Sequence, residues 1–160
     1  MQFDALLSAL STNGVNFIIV GGVAASLHGS ARVTFDLDVV YDRSAANLGR
    51  IVTALAPFQP YLRGAPPGLP FRFDVESLKR GLNFTFTTTE GPIDLLGELA
   101  GVGAYDSVRA HAVEASMFGS SYLFIDVETL IRAKKAAGRP KDLETIAELE
   151  AIREERARTD

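Results

Sequence analysis

Two aspartates set two positions apart, Asp36 and Asp38, have a spacing that could do chemistry. In residues 35–41, Leu37, Val39 and Tyr41 alternate with Asp36, Asp38 and Val40, which is the period of a strand. Side chains two apart on a strand project to one face, so the two carboxylates share a face. Like charges held side by side repel, most where water is scarce. A hard divalent cation offsets that repulsion, and Mg²⁺ prefers carboxylate oxygens together with substrate phosphates. On its own the pair also fits the solvated face of an edge strand.

Three further features favour chemistry. Gly21 and Gly22 follow an apolar run over 17–20 and precede a short helical pattern over 23–28. Glycines there let backbone N–H groups approach a phosphate, and a helix N-terminus favours an anion. Asp94 lies in Ile93-Asp94-Leu95-Leu96, a second expected strand. An acid flanked by core residues needs a partner; it either completes a three-carboxylate metal site or caps a turn. The third feature is a basic cluster of Arg132, Lys134, Lys135, Arg139 and Lys141. Lys134 follows Val127, Leu130 and Ile131 at helical spacing, so it lies on an apolar stripe. A lysine there snorkels or finds an anion, of which a nucleotide phosphate is one. Lys135 reads as part of a solvated face. Asp142, after Pro140, suits a first helical turn, where an acid complements the helix dipole.

The elements that must position these residues are legible in outline. Phe3, Leu6, Leu7 and Leu10 have helical spacing, and Asn13-Gly14 stops that helix. Ser44 is a plausible N-cap for a helix through Leu55. Residues 57–70 hold five of the seven prolines and read as a loop over the site. Residues 82–88 alternate as a strand, 90–92 turn, and 93–96 form a further strand. Residues 97–107 read as Gly-rich loop, 108–125 as containing short strands, and 127–137 as a helix. A break at 138–140 precedes a last helix to about Arg156. The expected fold class is α+β: a small mixed β-sheet flanked by helices, ending in a helical pair over 126–156.

Composition bounds the rest. The 160 residues, 47% hydrophobic and 22% charged, fit one domain, 1–160, with a real core. The absence of cysteine excludes a disulfide scaffold and a Cys-based zinc site. Two histidines, His28 and His111, cannot build a His-rich metal site, so any metal falls to carboxylates. A net charge of −4 weighs against a generic polyanion binder or a large RNA interface, while a local basic patch can still grip a phosphate. The apolar run 15–27 is broken by Asn16, Gly21 and Gly22, and no cationic leader is seen. The expectation is a soluble, cytoplasmic protein with no membrane partner.

Together these motifs resemble the nucleotidyltransferase superfamily with the DNA polymerase β-like fold. Val20-Gly21-Gly22, a spacer from Val23 to Phe35, Asp36-Leu37-Asp38 and then Ile93-Asp94-Leu95 follow the superfamily's order. The approach Arg32-Val33-Thr34-Phe35 and the later stretch 133–143 resemble the branch of AbiEii-type toxins of type IV toxin–antitoxin systems. The catalytic core would then be 1–100. Two departures stand out: Gly22 replaces the usual serine, and there is no obvious second substrate-binding domain.

The resemblance implies a Mg²⁺- or Mn²⁺-dependent transfer of a nucleoside monophosphate from an NTP to a hydroxyl on RNA (such as a tRNA 3′ end), protein or a small molecule. Asp36, Asp38 and Asp94 would be the catalytic and metal-binding acids: the first two would hold one metal at the triphosphate, and all three a second near the attacking hydroxyl, whose proton Asp94 would take. Gly21, Gly22, Arg32, Thr34, Lys134 and Arg139 would bind the nucleotide, and Asp142 would support them. Arg32 either touches phosphate or pairs with Asp36. Tyr41, Phe71, Phe73 and Tyr105 are candidates for stacking on the base. A cognate antitoxin is an implied partner. The rival readings are a nucleotide-binding regulatory or antitoxin module without turnover, and a structural domain whose acids are solvated.

Overall fold

The computed structural model describes residues 3–159. In chain order the elements are α1 (Phe3–Thr12), β1 (Phe17–Val20), α2 (Gly21–His28), β2 (Leu37–Tyr41), α3 (Ala45–Leu55), β3 (Tyr61–Leu62), α4 (Val75–Arg80), β4 (Asn83–Thr87), β5 (Ile93–Leu96), β6 (Glu98–Leu99), β7 (Gly103–Ala104), α5 (Tyr105–Arg109), β8 (Ala112–Met117), β9 (Ser120–Ile125), α6 (Val127–Ala137) and α7 (Leu143–Thr159). The fold is α+β, as the alternation of patterns implies.

The main sheet is mixed, with strand order β3-β4-β5-β2-β1-β9-β8. β2 runs antiparallel to β1 and parallel to β5. These central strands are apolar nearly throughout because helices cover them. Ile18, Ile19, Leu37, Val40, Ile93 and Leu95 have no exposed surface. One helical group packs α1 on α3 and α3 on α4, filling the core with Leu6, Leu7, Leu48, Ile51 and Leu55. A second group joins α2, α6 and α7. The Ser44 side chain caps α3 by accepting from the Asn47 N–H, as expected, and Asp126 caps α6 in the same way.

Several segments differ from the sequence expectation. Residues 97–107 are not loop throughout: they form the β6–β7 hairpin and enter α5. The 57–70 segment includes the end of a 3₁₀ turn, Ala56–Phe58, and the edge strand β3, which pairs with β4. α4 was not anticipated at all, though Asp74 caps it and Lys79-Arg80 close it. β2 begins at Leu37, so Asp36 sits on the segment leading into it and not on the strand itself. A 3₁₀ turn, Pro140–Asp142, precedes α7, which runs on to Thr159; Asp142 therefore lies before that helix. Among the described residues, no helix is long and apolar enough to cross a membrane.

Candidate active site

Strand register brings the acids together. β2 and β5 pair in parallel with Asp38 opposite Asp94, and β1 places Val20 opposite Asp38. The chain leaves β1 at Val20 straight into α2, so the Gly21-Gly22 start of that helix stands beside Asp38. Directly opposed like charges on a sheet are unfavourable. Burial first, and then the neighbouring Asp94, push the Asp38 carboxyl up to about 8, with Asp36 adding to the rise and Lys134 opposing it.

The two glycines are fixed by what lies against them. Gly21 has φ +63°, and a Cβ there would fall 2.1 Å from Asp38 Oδ2. A Cβ on Gly22 would fall 2.4 Å from Thr34 Oγ1. The pair therefore makes room for Asp38 and Thr34 to close on the start of α2. The same contact explains why serine does not stand at position 22: any side chain meets Thr34. The Thr34 hydroxyl donates to the Asp36 carbonyl at 3.2 Å, bracing the turn into β2.

These residues line a cleft with two lobes that share Gly21, Asp38, Asp94, Lys134 and Arg139. The polar lobe, about 460 Å³, adds Gly22, Arg32, Thr34, Asp36, Lys141 and Asp142. The other, about 250 Å³, is walled by Val20, Leu96, Leu99, Leu130 and Ala133. The three acids, both glycines, Arg32, Thr34, Lys134, Arg139 and Asp142 thus border one cleft. Lys134 Nζ lies 3.5 Å from Asp142 Oδ1, and Arg139 Nε donates to Asp142 Oδ2 at 2.7 Å. Asp142 is buried, and it holds both cations at the rim. Lys135 turns outward to Glu150, in keeping with a solvated face.

Three expectations change. Arg32 pairs with neither Asp36 nor any other cleft acid: its guanidinium bonds Glu144 at 2.8 Å and approaches Glu148 on α7. None of the aromatic candidates lines either lobe. Tyr41 is fully buried, Phe71 and Phe73 pack on Phe86, and Tyr105 lines separate hollows. The exposed aromatic bordering the polar lobe is Phe35, 66% accessible. Finally, Asp36 does not close on the other acids. Among the described residues, no group of three His, Cys, Asp or Glu side chains is gathered to hold a metal. Asp38 and Asp94 adjoin, while Arg63 stands between Asp94, at 2.8 Å, and Asp36, at 3.8 Å.

The chemistry of the donor set still suits a divalent cation. Asp38 Oδ1 and Asp94 Oδ1 are buried with no hydrogen-bond partner; the Arg63 contact to Asp94 is an ion pair without hydrogen-bond alignment. Buried carboxylate oxygens left so are costly unless a cation or proton serves them. Sequence reasoning missed Phe35, which borders the polar lobe, and Arg63, which pairs with two of the cleft acids. Arg63 sits in the proline-rich segment with no local signal. Phe35 was readable as an apolar residue beside Asp36 but was counted only as strand.

No family model matches the chain, and no curated protein matches it by sequence. Solved structures do. One is the crystal structure of a "putative nucleotidyltransferase" from Thermotoga maritima, at a TM-score of 0.60 and 13% identity. The match covers 91% of this chain and 88% of that one, so the likeness is one of fold over nearly the whole length.

Proposed function

We propose that this protein is a divalent-metal-dependent nucleotidyltransferase of the DNA polymerase β-like fold, similar to the AbiEii-type toxins. The observation that carries the reading is the shared cleft: two opposed carboxylates, a third acid set apart on the same wall, a glycine-started helix and Lys134 all border one space. The likeness of fold to a "putative nucleotidyltransferase" supports it. Asp36, Asp38 and Asp94 would hold Mg²⁺ or Mn²⁺, which supplies Lewis-acid stabilisation of phosphoryl oxygens. The polar lobe suits a triphosphate. Lys134 and the first N–H groups of α2 neutralise charge on the departing pyrophosphate. Arg139 and Lys141 extend that positive rim.

In the transfer, an acceptor hydroxyl oxygen bonds to the α-phosphorus, and the bond from that phosphorus to the bridging oxygen breaks. The hydroxyl proton passes to Asp94, and pyrophosphate leaves. Phe35, exposed beside the acids, offers a face for the base. The acceptor is a hydroxyl on RNA, protein or a small molecule, and a toxin–antitoxin partnership follows from the AbiEii likeness.

One observation favours a second reading. Asp94 is already paired with Arg63, as in a module that binds nucleotide without turnover. Calorimetric titration of wild type and Asp38→Asn with each NTP, with and without Mg²⁺, tests what both readings share. Metal-dependent binding lost in the variant is expected. Equal binding by both proteins would remove the acids from the site.

A further inference from the structure

Arg63 follows the edge strand β3, and its N–H donates to the Thr85 carbonyl at 2.9 Å. From there its side chain reaches two of the cleft acids. Nη2 donates to the Phe86 carbonyl at 2.8 Å and lies 2.8 Å from Asp94 Oδ1, while Nη1 lies 3.8 Å from Asp36 Oδ2. Nε is buried without a partner. Tied to a strand carbonyl and to two cleft acids, the guanidinium is not a loose surface arm. Its planar fork spans two acceptors as a compact ammonium cannot.

We infer that Arg63 is a resident cation standing between Asp36 and Asp94, which restricts the cleft to one tightly held divalent ion and lends its charge to binding of the triphosphate. This rests on reading the cleft as a metal-dependent nucleotide site. Asp38 Oδ1 and Asp94 Oδ1 stay buried without hydrogen-bond partners even with Arg63 in place, so the Asp38 side keeps room for one cation. On the Asp36–Asp94 side, a second ion would have to displace Arg63 against the Phe86 bond and Coulomb repulsion.

Removal of the Arg63 charge acts in opposite directions on two ligands. A metal ion alone meets a more negative cleft and binds more tightly. A metal–triphosphate complex is anionic overall, loses a cation and binds more weakly. A purely structural role for Arg63, holding β3 to the sheet, would weaken both.

The test is Mn²⁺ binding, followed by electron paramagnetic resonance, to wild type, Arg63→Gln and Arg63→Lys, repeated with Mn²⁺ and inorganic tripolyphosphate. Wild type should bind one Mn²⁺ tightly. Arg63→Gln should tighten Mn²⁺ at least about tenfold or open a second site, a modest demand for one unit charge a few ångströms away. The same variant should bind the tripolyphosphate complex more weakly. Arg63→Lys keeps the charge but cannot span both carboxylates, and should fall between. Mn²⁺ binding by wild type that Arg63→Gln leaves unchanged or weakens would overturn the inference alone. If Arg63→Gln does not fold, an Arg63→Lys protein identical to wild type in both titrations would overturn it. No Mn²⁺ binding by any of the proteins would overturn both the inference and the metal-site reading.

Discussion

Gly21 combines two demands that no other residue meets: a left-handed backbone and an Asp38 carboxylate where its Cβ would be. The backbone alone makes Gly21→Ala cost about 1–2 kcal/mol, and displacement of Asp38 adds to it. Chemical denaturation should show that loss together with loss of metal-dependent nucleotide binding. Asp38→Asn should behave oppositely in stability. It removes an acid that folding must either protonate or bury charged beside Asp94, so the metal-free variant should melt at a higher temperature than wild type while losing transfer activity. A lower melting temperature would mean that Asp38 is satisfied by the protein itself. Much of this was readable from the sequence because the acids and glycines obey local rules: strand alternation, a strand-to-helix turn and an apolar stripe. Arg63 was not readable, since its partners Asp36 and Asp94 meet it only through the pairing of β3, β4 and β5. Arg32 misled for the same reason: Glu144 and Glu148 lie far along the chain.

At the scale of elements, the segment entering β2 is clasped by α7. Glu148 accepts from the Ser30 hydroxyl at 2.5 Å and from the Ala31 N–H at 3.1 Å, and those bonds hold its carboxyl below the usual range. Arg32 adds its bond to Glu144. The clasp is half-buried at the surface, so Glu148→Ala should cost only about 1 kcal/mol in folding. It should instead speed amide exchange over residues 31–36 and raise the KM for NTP. Phe35 sits on this clasped segment. Phe35→Ala should leave the melting temperature within a degree or so of wild type, as surface substitutions do, yet weaken nucleotide binding several-fold. Unchanged binding would place the base elsewhere, with the apolar lobe beside Leu96 and Leu130 the next site to probe. Element boundaries were harder to read than element types. α4 carries its full start and stop signals, Asp74, Glu76, Lys79-Arg80 and Gly81, but in so few residues that no apolar period marks it.

Across the whole molecule, His28 ties the C-terminal helices to the sheet. Its ring is buried; Nε2 donates to the Ile125 carbonyl at 2.8 Å, and Nδ1 accepts from Arg156 at 3.2 Å. Both contacts fit the neutral ring. Burial lowers its pKa below 6.5, the Ile125 bond works against that, and Arg156 lowers it further. A group whose folded pKa is lowered in this way binds a proton more readily when unfolded. Its contribution is therefore fully present above about pH 6.5 and is lost as pH falls below that value. Denaturation midpoints measured from pH 8 to pH 5 should fall for wild type, and less steeply for His28→Gln. Parallel curves would remove His28 from the acid response.

The central claim is that the cleft transfers nucleotide and does not merely hold it. The direct measurement incubates the protein and Mg²⁺ with each of four α-³²P NTPs, alongside bulk tRNA, total protein, or the protein alone, with Asp38→Asn in parallel. Label on a macromolecule with wild type and none with Asp38→Asn is the predicted result, and it identifies the base and the class of acceptor. Equal label with the two proteins would contradict the account, because the transfer would then not depend on the opposed aspartates on which the site is built.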